Sequence, residues 1–515
     1  MKKFLKCVLL ALICAVTVCS VVLPLSACKD KKLNLLEENI IDDKYDNYYE
    51  IFVASFKDTN GDGCGDLNGV AEKMDYIRDM GYTGIWLMPI NPCSSYHGYD
   101  VTDYYGINPK YGTLDDYKNL LEVAHEKGVK VIIDLVVNHT SWNHPWFKAA
   151  LDFKKGISGP EQIKYKDFYN FAPSNVPPNQ LNGYNEKDGF YYESNFDKGM
   201  PDLNLEHQSV RNELENVIKF WLEMGTDGFR LDGCKYYCNE QDKSVEFCSW
   251  IQDTSEKYNE NVYIVGEEWD NLASIETFYE SGVDSFFNFD VHGKIQASVN
   301  TCSSDQLWVA MYRSEDAAGD AIPAPFLSNH DNGVGRIAGR MARKEDRIKF
   351  AYGLVSMFTG NTFTYYGDEI GMIAKKTDSD PDLRIGILWD DVANLTTPPP
   401  GASKNPEYLF DSVEKQLKDS GSILSYYKLC NNTRNAFPAI MRGKSTRIEL
   451  DEPGVLVMRK EYGDQSVTVV INMNEDGVTV NGIEGSLAQS LTVDGEVKRN
   501  GSSLKMPALS IAILT

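Results

Sequence analysis

The chain has 515 residues, of which 42% are hydrophobic, 11% aromatic and 24% charged, a composition that excludes a disordered or membrane-embedded protein. Its formal net charge of -24 opposes binding to phosphate backbones, which requires Lys and Arg to displace counterions, so no nucleic acid is expected as a partner.

The N-terminus reads Met1-Lys2-Lys3 and then an apolar run from Phe4 to Leu25, the charged and hydrophobic parts of a secretory signal. The run ends in Leu25-Ser26-Ala27-Cys28, which resembles the lipobox of bacterial lipoproteins. That resemblance implies a signal over residues 1–27 and lipid on Cys28 as the sole membrane contact of a cell-surface protein, secreted if the anchor is lost. Residues 28–44 are rich in Lys, Asp and Glu and read as a polar tether. No later stretch approaches the ~18 to 20 apolar residues of a spanning helix. Cys7, Cys14 and Cys19 fall in the signal, and seven Cys remain after Cys28. An odd number scattered along a long chain is no disulfide framework, and Cys234, Cys238 and Cys248 lack zinc spacing, so mostly free, buried thiols are expected.

From about residue 45 short apolar runs alternate with longer helical patterns, the mark of βα units and a parallel sheet. Eight strands are expected, at 49–55, 83–89, 129–135, 227–232, 262–267, 285–290, 325–328 and 362–366. The gap after the third is too long for a structureless loop, so residues 138–204 read as an inserted subdomain. After residue 438 the pattern becomes short alternating strands such as 454–460 and 466–472. The fold class is therefore α/β: a (β/α)8 TIM barrel over 45–137 and 205–437, a subdomain inserted after strand 3, and a C-terminal antiparallel β-sandwich over 438–515.

Three acids close apolar strand runs: Asp232 in Gly-Phe-Arg-Leu-Asp, Glu267 in Tyr-Ile-Val-Gly-Glu and Asp331 in Phe-Leu-Ser-Asn-His-Asp. Charges at the carboxyl ends of barrel strands point into the mouth, where such enzymes keep their chemistry. Carboxyl groups brought together there suit glycoside cleavage, in which one protonates the leaving oxygen and a second attacks or activates water. Arg230 lies two residues before Asp232, on the same side of the strand, and its fixed charge is expected to keep Asp232 ionised. Separately, Asp58-Thr-Asn60-Gly-Asp62-Gly-Cys64-Gly-Asp66 alternates oxygen-bearing side chains with small residues. It imitates EF-hand positions one, three, five and nine, although the twelfth is Gly69 rather than Glu, which excludes a full EF-hand.

Six separated motifs in order give the chain a resemblance to the α-amylase family of glycoside hydrolases. They begin at Asp134 (with Asn138-His139), Gly228, Gly266 (with Trp269), Ser328, Met200 (with Asp202-Leu-Asn204) and Tyr365 (with Asp368-Glu369). The resemblance implies Asp232 as nucleophile, Glu267 as general acid and base, and Asp331 as the acid that favours the distorted transition state. It further implies a retaining mechanism, with the Asp232 and Glu267 carboxyls about 5 to 5.5 Å apart. His139 and His330 would bond the sugar and Tyr99 would stack on it, with Arg230 and Lys235 also on the substrate side. The Asp58 run resembles a calcium loop of some family members, with Asp58, Asn60, Asp62, the Cys64 carbonyl and Asp66 holding Ca2+, and Asn138 and Asp202 match a second calcium position. Tyr96 stands where chain-end-cutting relatives carry Asp, which favours an open cleft, and Tyr236 and Arg384-Ile-Gly-Ile-Leu-Trp389 also depart from the usual pattern. The expected protein is a monomeric α-amylase acting inside starch or maltodextrin chains. A 4-α-glucanotransferase or exo-acting α-glucosidase on the same scaffold, or an inactive surface glycan binder, are the alternatives.

Overall fold

The computed structural model describes residues 33–173, 175–374 and 379–515. The expected signal and Cys28 lie outside these residues. Among them, no helix is long and apolar enough to cross a membrane.

The barrel strands in chain order are β1 (Asn47–Ile51), β2 (Gly84–Leu87) and β3 (Lys130–Leu135). The inserted hairpin β4 (Tyr184–Lys187) and β5 (Phe190–Glu193) follows, then β6 (Gly228–Leu231), β7 (Tyr263–Gly266), β8 (Ser285–Phe286) and β9 (Thr362–Tyr365). The parallel sheet runs β8-β7-β6-β3-β2-β1-β9. Continuous burial on both faces explains the unbroken apolar runs: β2 and β6 are buried at every residue.

Two expected strands shrink for identifiable reasons. At 285–290 the strand stops at Phe286, because Asn288 caps a helix beginning at Phe289 by accepting from the Asp290 N–H. At 325–328 no strand forms, only parallel bridges from Ala324 to Phe287 and from Phe326 to Phe363. Pro323 and Pro325 remove two ladder donors, so this segment closes the barrel through its carbonyls, which accept from Asn288, Asn361 and Phe363.

The barrel interior is filled by Tyr48, Trp86, Ile132, Tyr263, Val265, Phe287 and Phe363. Tyr48 stacks between Phe363 and Tyr263 at 4.8 and 5.2 Å. Gly84 is required beside it: a Cβ there would stand 2.4 Å from the Tyr48 ring.

The insertion packs Trp146, Phe147, Phe168, Tyr169 and Tyr192 into a core continuous with the barrel's. Its ends are tied where Leu203 N donates to Asn138 O at 2.8 Å. The C-terminal unit begins with β10 (Lys444–Ile448), because 438–442 form a short helix started by Pro438. It continues with β11 (Val455–Tyr462), β12 (Gln465–Asn472), β13 (Val478–Val480), β14 (Leu487–Thr492), β15 (Lys498–Asn500), β16 (Ser503–Met506) and β17 (Ser510–Leu514). Sheets β10-β11-β12-β17-β14 and β13-β16-β15 face each other over Val457, Val470, Leu504, Met506 and Ala512. The opposite face of the larger sheet, with Leu456, Met458, Val469, Ile471 and Ile513, joins the barrel's core.

Residues 35–44, expected within a tether, lie against the barrel. Leu36 exchanges bonds with the Asn432 amide at 2.7 and 2.9 Å, Lys44 pairs with Asp284 at 2.7 Å, and Asp43 with Arg442 at 2.6 Å. Their charges have fixed partners, which a composition reading does not reveal. None of the seven Cys among the described residues is in a disulfide; Cys234, Cys248 and Cys430 are buried and four are partly exposed.

Candidate active site

Parallel register brings charged side chains to one level inside the barrel. Asp134 on β3 sits beside Arg230 on β6, and Glu50 on β1 lies between Trp86 and Tyr365. Asp232 and Glu267 follow directly on the ends of β6 and β7.

Arg230 is the hub. Its Nη1 donates to Asp134 Oδ1 and, at 2.7 Å, to Asp232 Oδ1, while Nη2 lies 2.9 Å from Glu267 Oε2. Trp86 Nε1 donates to the other Asp134 oxygen at 2.9 Å. Glu267 Oε2 also accepts from Gly233 N at 3.0 Å. Gly233 needs φ +57°, a left-handed conformation, and a Cβ there would meet Phe196 at 2.8 Å.

Burial pushes the Asp232 carboxyl up, and Arg230 opposes burial without overcoming it. Arg230 does bond Asp232 as its place two residues earlier on the strand implied, and it shares that charge with Asp134 and Glu267. Glu267 is raised by burial, eased by Arg230 and pushed further up by the Asp232 charge. Burial takes Asp134 up to about 7. One guanidinium cannot neutralise three carboxylates, so a proton stays in this cluster near neutral pH. The Asp232–Glu267 repulsion acts on both partners, so the retained proton belongs to the cluster.

Asp331 is half-buried. Its Oδ1 lies 3.2 Å from Arg384 Nη2 and its Oδ2 3.3 Å from His330 Nε2. Burial raises it to about 7, against the pull of Arg384. His330 is held by Glu50 on Nδ1 at 2.6 Å and by the Tyr99 hydroxyl on Nε2 at 2.7 Å. Burial, with Arg384 and Arg230 nearby, keeps this imidazole neutral. The Tyr99 ring is stacked with His330 at 5.7 Å and faces the cleft. His139 is buried, with its pKa lowered by burial to about 4; the Asn138 amide approaches its Nδ1 at 3.3 Å and leaves Nε2 uncommitted.

These groups line a cleft of about 550 Å³. Asp232, Glu267, Asp331, Tyr99, His139, His330 and Lys235 all reach it, whereas Arg230 lies beneath its floor. Lys235 Nζ is held by the Trp269 carbonyl at 2.7 Å. Partly exposed Phe196, Tyr236 and Trp269 form an aromatic rim on that flank. Glu50, Phe196, Asp380 and the contact of Arg384 with Asp331 escaped the sequence reading. A Glu inside the apolar run Asn-Tyr-Tyr-Glu-Ile was the visible signal for the first.

The Asp58–Asp66 run lies outside the cleft and is closed by its own bonds. Asp58 accepts from the N–H groups of Asn60, Gly61 and Gly63, Asp62 accepts from Cys64 N, and Asp66 accepts from Thr59 and caps a helix through Gly69 N. Among the described residues no three His, Cys, Asp or Glu side chains converge as a metal-binding group. The donor chemistry nevertheless suits a hard cation: all side-chain donors are oxygens, and Asp58 sits below the usual carboxylate range, its slight burial outweighed by the Gly61 and Gly63 N–H groups. Asn138 and Asp202 do meet, but as amide to carboxylate at 3.0 Å, and Asp202 also accepts from Asn195 N and Nδ2 at 2.9 and 2.7 Å.

The model of the α-amylase catalytic domain matches residues 50–443, so the chain belongs to the α-amylase family and is a glycoside hydrolase. It is 36% identical to Alpha-amylase 3 of Dictyoglomus thermophilum over 84% of this chain and 86% of that protein. The structure of Eubacterium rectale Amy13B superposes with a TM-score of 0.86 at 36% identity, covering 93% of this chain and 96% of that one. A 4-alpha-glucanotransferase of Thermotoga maritima is 29% identical over 85% of this chain and 97% of that protein.

Proposed function

We propose that this enzyme hydrolyses internal α-1,4-glucosidic bonds of starch and maltodextrins with retention, through a covalent glycosyl intermediate on Asp232. Glu267 protonates the leaving oxygen and then deprotonates the attacking water, and Asp331, positioned by Arg384, binds ring hydroxyls as the sugar flattens. The observation that carries this reading is the Arg230 cluster. Two carboxyls on adjacent guanidinium nitrogens are close enough for nucleophile and acid to serve one bond, and one cation shared among three carboxylates keeps in the cluster the proton a general acid needs, which this reading places on Glu267. His139, with its free Nε2, and the Tyr99 ring both line the cleft and contribute sugar binding.

The aromatic rim of Phe196, Tyr236 and Trp269 favours a second reading, 4-α-glucanotransfer, because stacked rings on the departing side hold a sugar acceptor in place of water. Amylose, maltose and a chain-end-blocked maltoheptaoside, followed by chromatography, separate the two. Cleavage of the blocked substrate to short maltooligosaccharides supports internal hydrolysis. Products longer than the starting sugar support transfer, and glucose alone, with the blocked substrate intact, overturns both in favour of an exo-glucosidase.

We further propose that Asp58, Asn60, Asp62, Asp66 and the Cys64 carbonyl hold Ca2+, which would brace the loop after β1, and that the protein acts as an exported monomer anchored by lipid on Cys28.

A further inference from the structure

Glu50 interrupts the apolar β1 run Asn-Tyr-Tyr-Glu-Ile and is only 1% exposed, between Trp86 and Tyr365 in the sheet register. It shares a small internal void with Trp86, Phe287, Phe363 and Arg230. Arg230, however, is committed to Asp134, Asp232 and Glu267. Among the described residues no Lys or Arg nitrogen lies within ion-pair distance of Glu50, and its side chain is bonded to His330, whose Nδ1 stands 2.6 Å from Glu50 Oε1. An ionised carboxylate in this place lacks a counter-charge, the arrangement that burial penalises most.

The other side of the imidazole completes the argument. Because burial, with Arg384 and Arg230 nearby, keeps His330 neutral, one ring nitrogen carries a hydrogen and the other a lone pair. Nε2 stands 2.7 Å from the Tyr99 hydroxyl and 3.3 Å from Asp331 Oδ2. The hydroxyl can donate or accept. Asp331, whose Oδ1 accepts from Arg384 at 3.2 Å, can only accept once ionised, which happens at about pH 7. Above that pH a lone pair on Nε2 would face a carboxylate oxygen, whereas a hydrogen on Nε2 suits both neighbours. A hydrogen on Nε2 obliges Nδ1 to accept. The group facing Nδ1 must then donate, and Glu50 donates only with a proton on its carboxyl.

We infer that Glu50 is a positioning residue, which in its protonated form donates to His330 Nδ1, fixes the Nε2–H tautomer and so aims a hydrogen-bond donor into the cleft beside Asp331. The effect on turnover rests on the hydrolytic reading: a ring hydroxyl bound there accepts from His330 and donates to Asp331, and such bonds strengthen in the transition state. Burial, then the charges of Asp331, Asp134 and Asp368 on neighbouring elements, oppose ionisation of Glu50, and Arg230 favours it. Glu267 borders the same void. Loss of the Glu50 proton reverses the tautomer, since Nδ1–H then turns to the Glu50 carboxylate and Nε2 is left without a hydrogen to donate.

The test uses the full chain freed of its signal, with nitrogen-15 in its His rings and the His330 signals assigned by their loss in His330→Gln. Spectra taken just above pH 7, without sugar, report which ring nitrogen carries the hydrogen. The expected result is Nε2–H in the parent protein and in Glu50→Gln, whose amide donates as the protonated carboxyl does. At higher pH the parent is expected to convert to Nδ1–H and Glu50→Gln to stay. Glu50→Leu, which neither donates nor accepts, is expected to lose the fixed tautomer and to lower kcat on maltoheptaose by about tenfold, as loss of one hydrogen bond does. Glu50→Gln is expected to keep kcat within about threefold of the parent. An Nδ1–H signal in the parent just above pH 7, an Nε2–H signal that survives in Glu50→Leu, or a loss of kcat in Glu50→Gln equal to that in Glu50→Leu overturns the inference. Should Glu50→Leu fail to fold, the parent and Glu50→Gln spectra decide. If the tautomer behaves as expected and maltoheptaose is left uncut, the positioning role stands and the hydrolytic reading falls. Cleavage with Nδ1–H in the parent has the reverse meaning.

Discussion

Two buried charge clusters occupy opposite ends of this barrel, and they are built on opposite principles. At the mouth, one cation serves three carboxylates: Arg230 bonds Asp134, Asp232 and Glu267, and all three acids are pushed up. At the base, cations are the majority and carbonyls satisfy them. Arg434 donates to Asn47 Oδ1 and to the carbonyls of Ser356, Phe358 and Gly360, and Lys460 donates to Thr359 Oγ1 at 2.6 Å and Ile440 O at 3.0 Å, with Glu315 at 3.6 Å. Burial lowers Arg434 to about 9 and Lys460 to about 8. The mouth leaves charge uncompensated, which a reaction can use. The base distributes hydrogen bonds over strand ends and β11, which joins the C-terminal sheet to the barrel. The difference teaches that burial of charge alone marks no active site, nor does an excess of one sign that backbone carbonyls satisfy; an excess of carboxylates left to one shared cation does.

Deleting charge at each end should therefore have opposite consequences. Asp232→Asn, at the mouth, is expected to lower turnover of maltoheptaose by roughly 10⁴-fold or more while the protein folds and still binds the sugar. Its Tm should hold or rise, since a buried acid without a full counter-charge is removed. Turnover within tenfold of the parent enzyme would remove the nucleophile assignment.

The sequence exposed this mouth well, because Asp232, Glu267 and Asp331 each end an apolar run and motif order supplied their company. It exposed the base poorly. Arg434 and Lys460 sit in a helix and a strand whose patterns read as ordinary half-buried elements, and their partners are backbone carbonyls, which carry no side-chain signature. The same limit applies inside the fold. Register put Glu50 beside Tyr365 and Trp86, a contact between residues more than thirty positions apart in each case, and the prolines that dissolved the strand at 325–328 looked like its boundaries.

At the base, Lys460→Met is expected to cost roughly 3 kcal/mol, as removal of one partner from a buried ion pair does, because Glu315 and the Ile440 carbonyl lose their donor. Thermal melts should show the loss, and turnover per folded molecule at low temperature should not change. A fall in turnover matching that of Asp232→Asn would mean that the two ends are not separable. Slightly smaller is the effect expected at the proposed calcium loop. Chelation is expected to lower stability by up to about 2.7 kcal/mol if the ion is present near a hundredfold above its Kd, and Asp62→Ala should abolish that response. An unchanged melting curve with chelator, at every calcium concentration, would remove Ca2+ from the fold.

The finest discrimination is by pH, since the two ends titrate in opposite senses. Asp134 is raised from 3.8 to about 7, so its contribution to stability is full below pH 4 and is lost as pH rises through 7. Lys460 is lowered from 10.5 to about 8, so its contribution is full above 10.5 and is lost as pH falls through 8. Each group alone imposes a slope of at most about 1.4 kcal/mol per pH unit. Stability should fall between pH 4 and 7 and recover above 8. Asp202, Glu268, Asp331, Asp368 and Glu369 are raised to about 6 or 7 and Arg434 is lowered to about 9, so Asp134→Asn should make only the first limb shallower, by one proton's share, and Lys460→Met only the second. If either substitution changed both limbs alike, the clusters would be coupled through the barrel, and an excess of carboxylates at the mouth would no longer suffice to explain why the acids there carry protons.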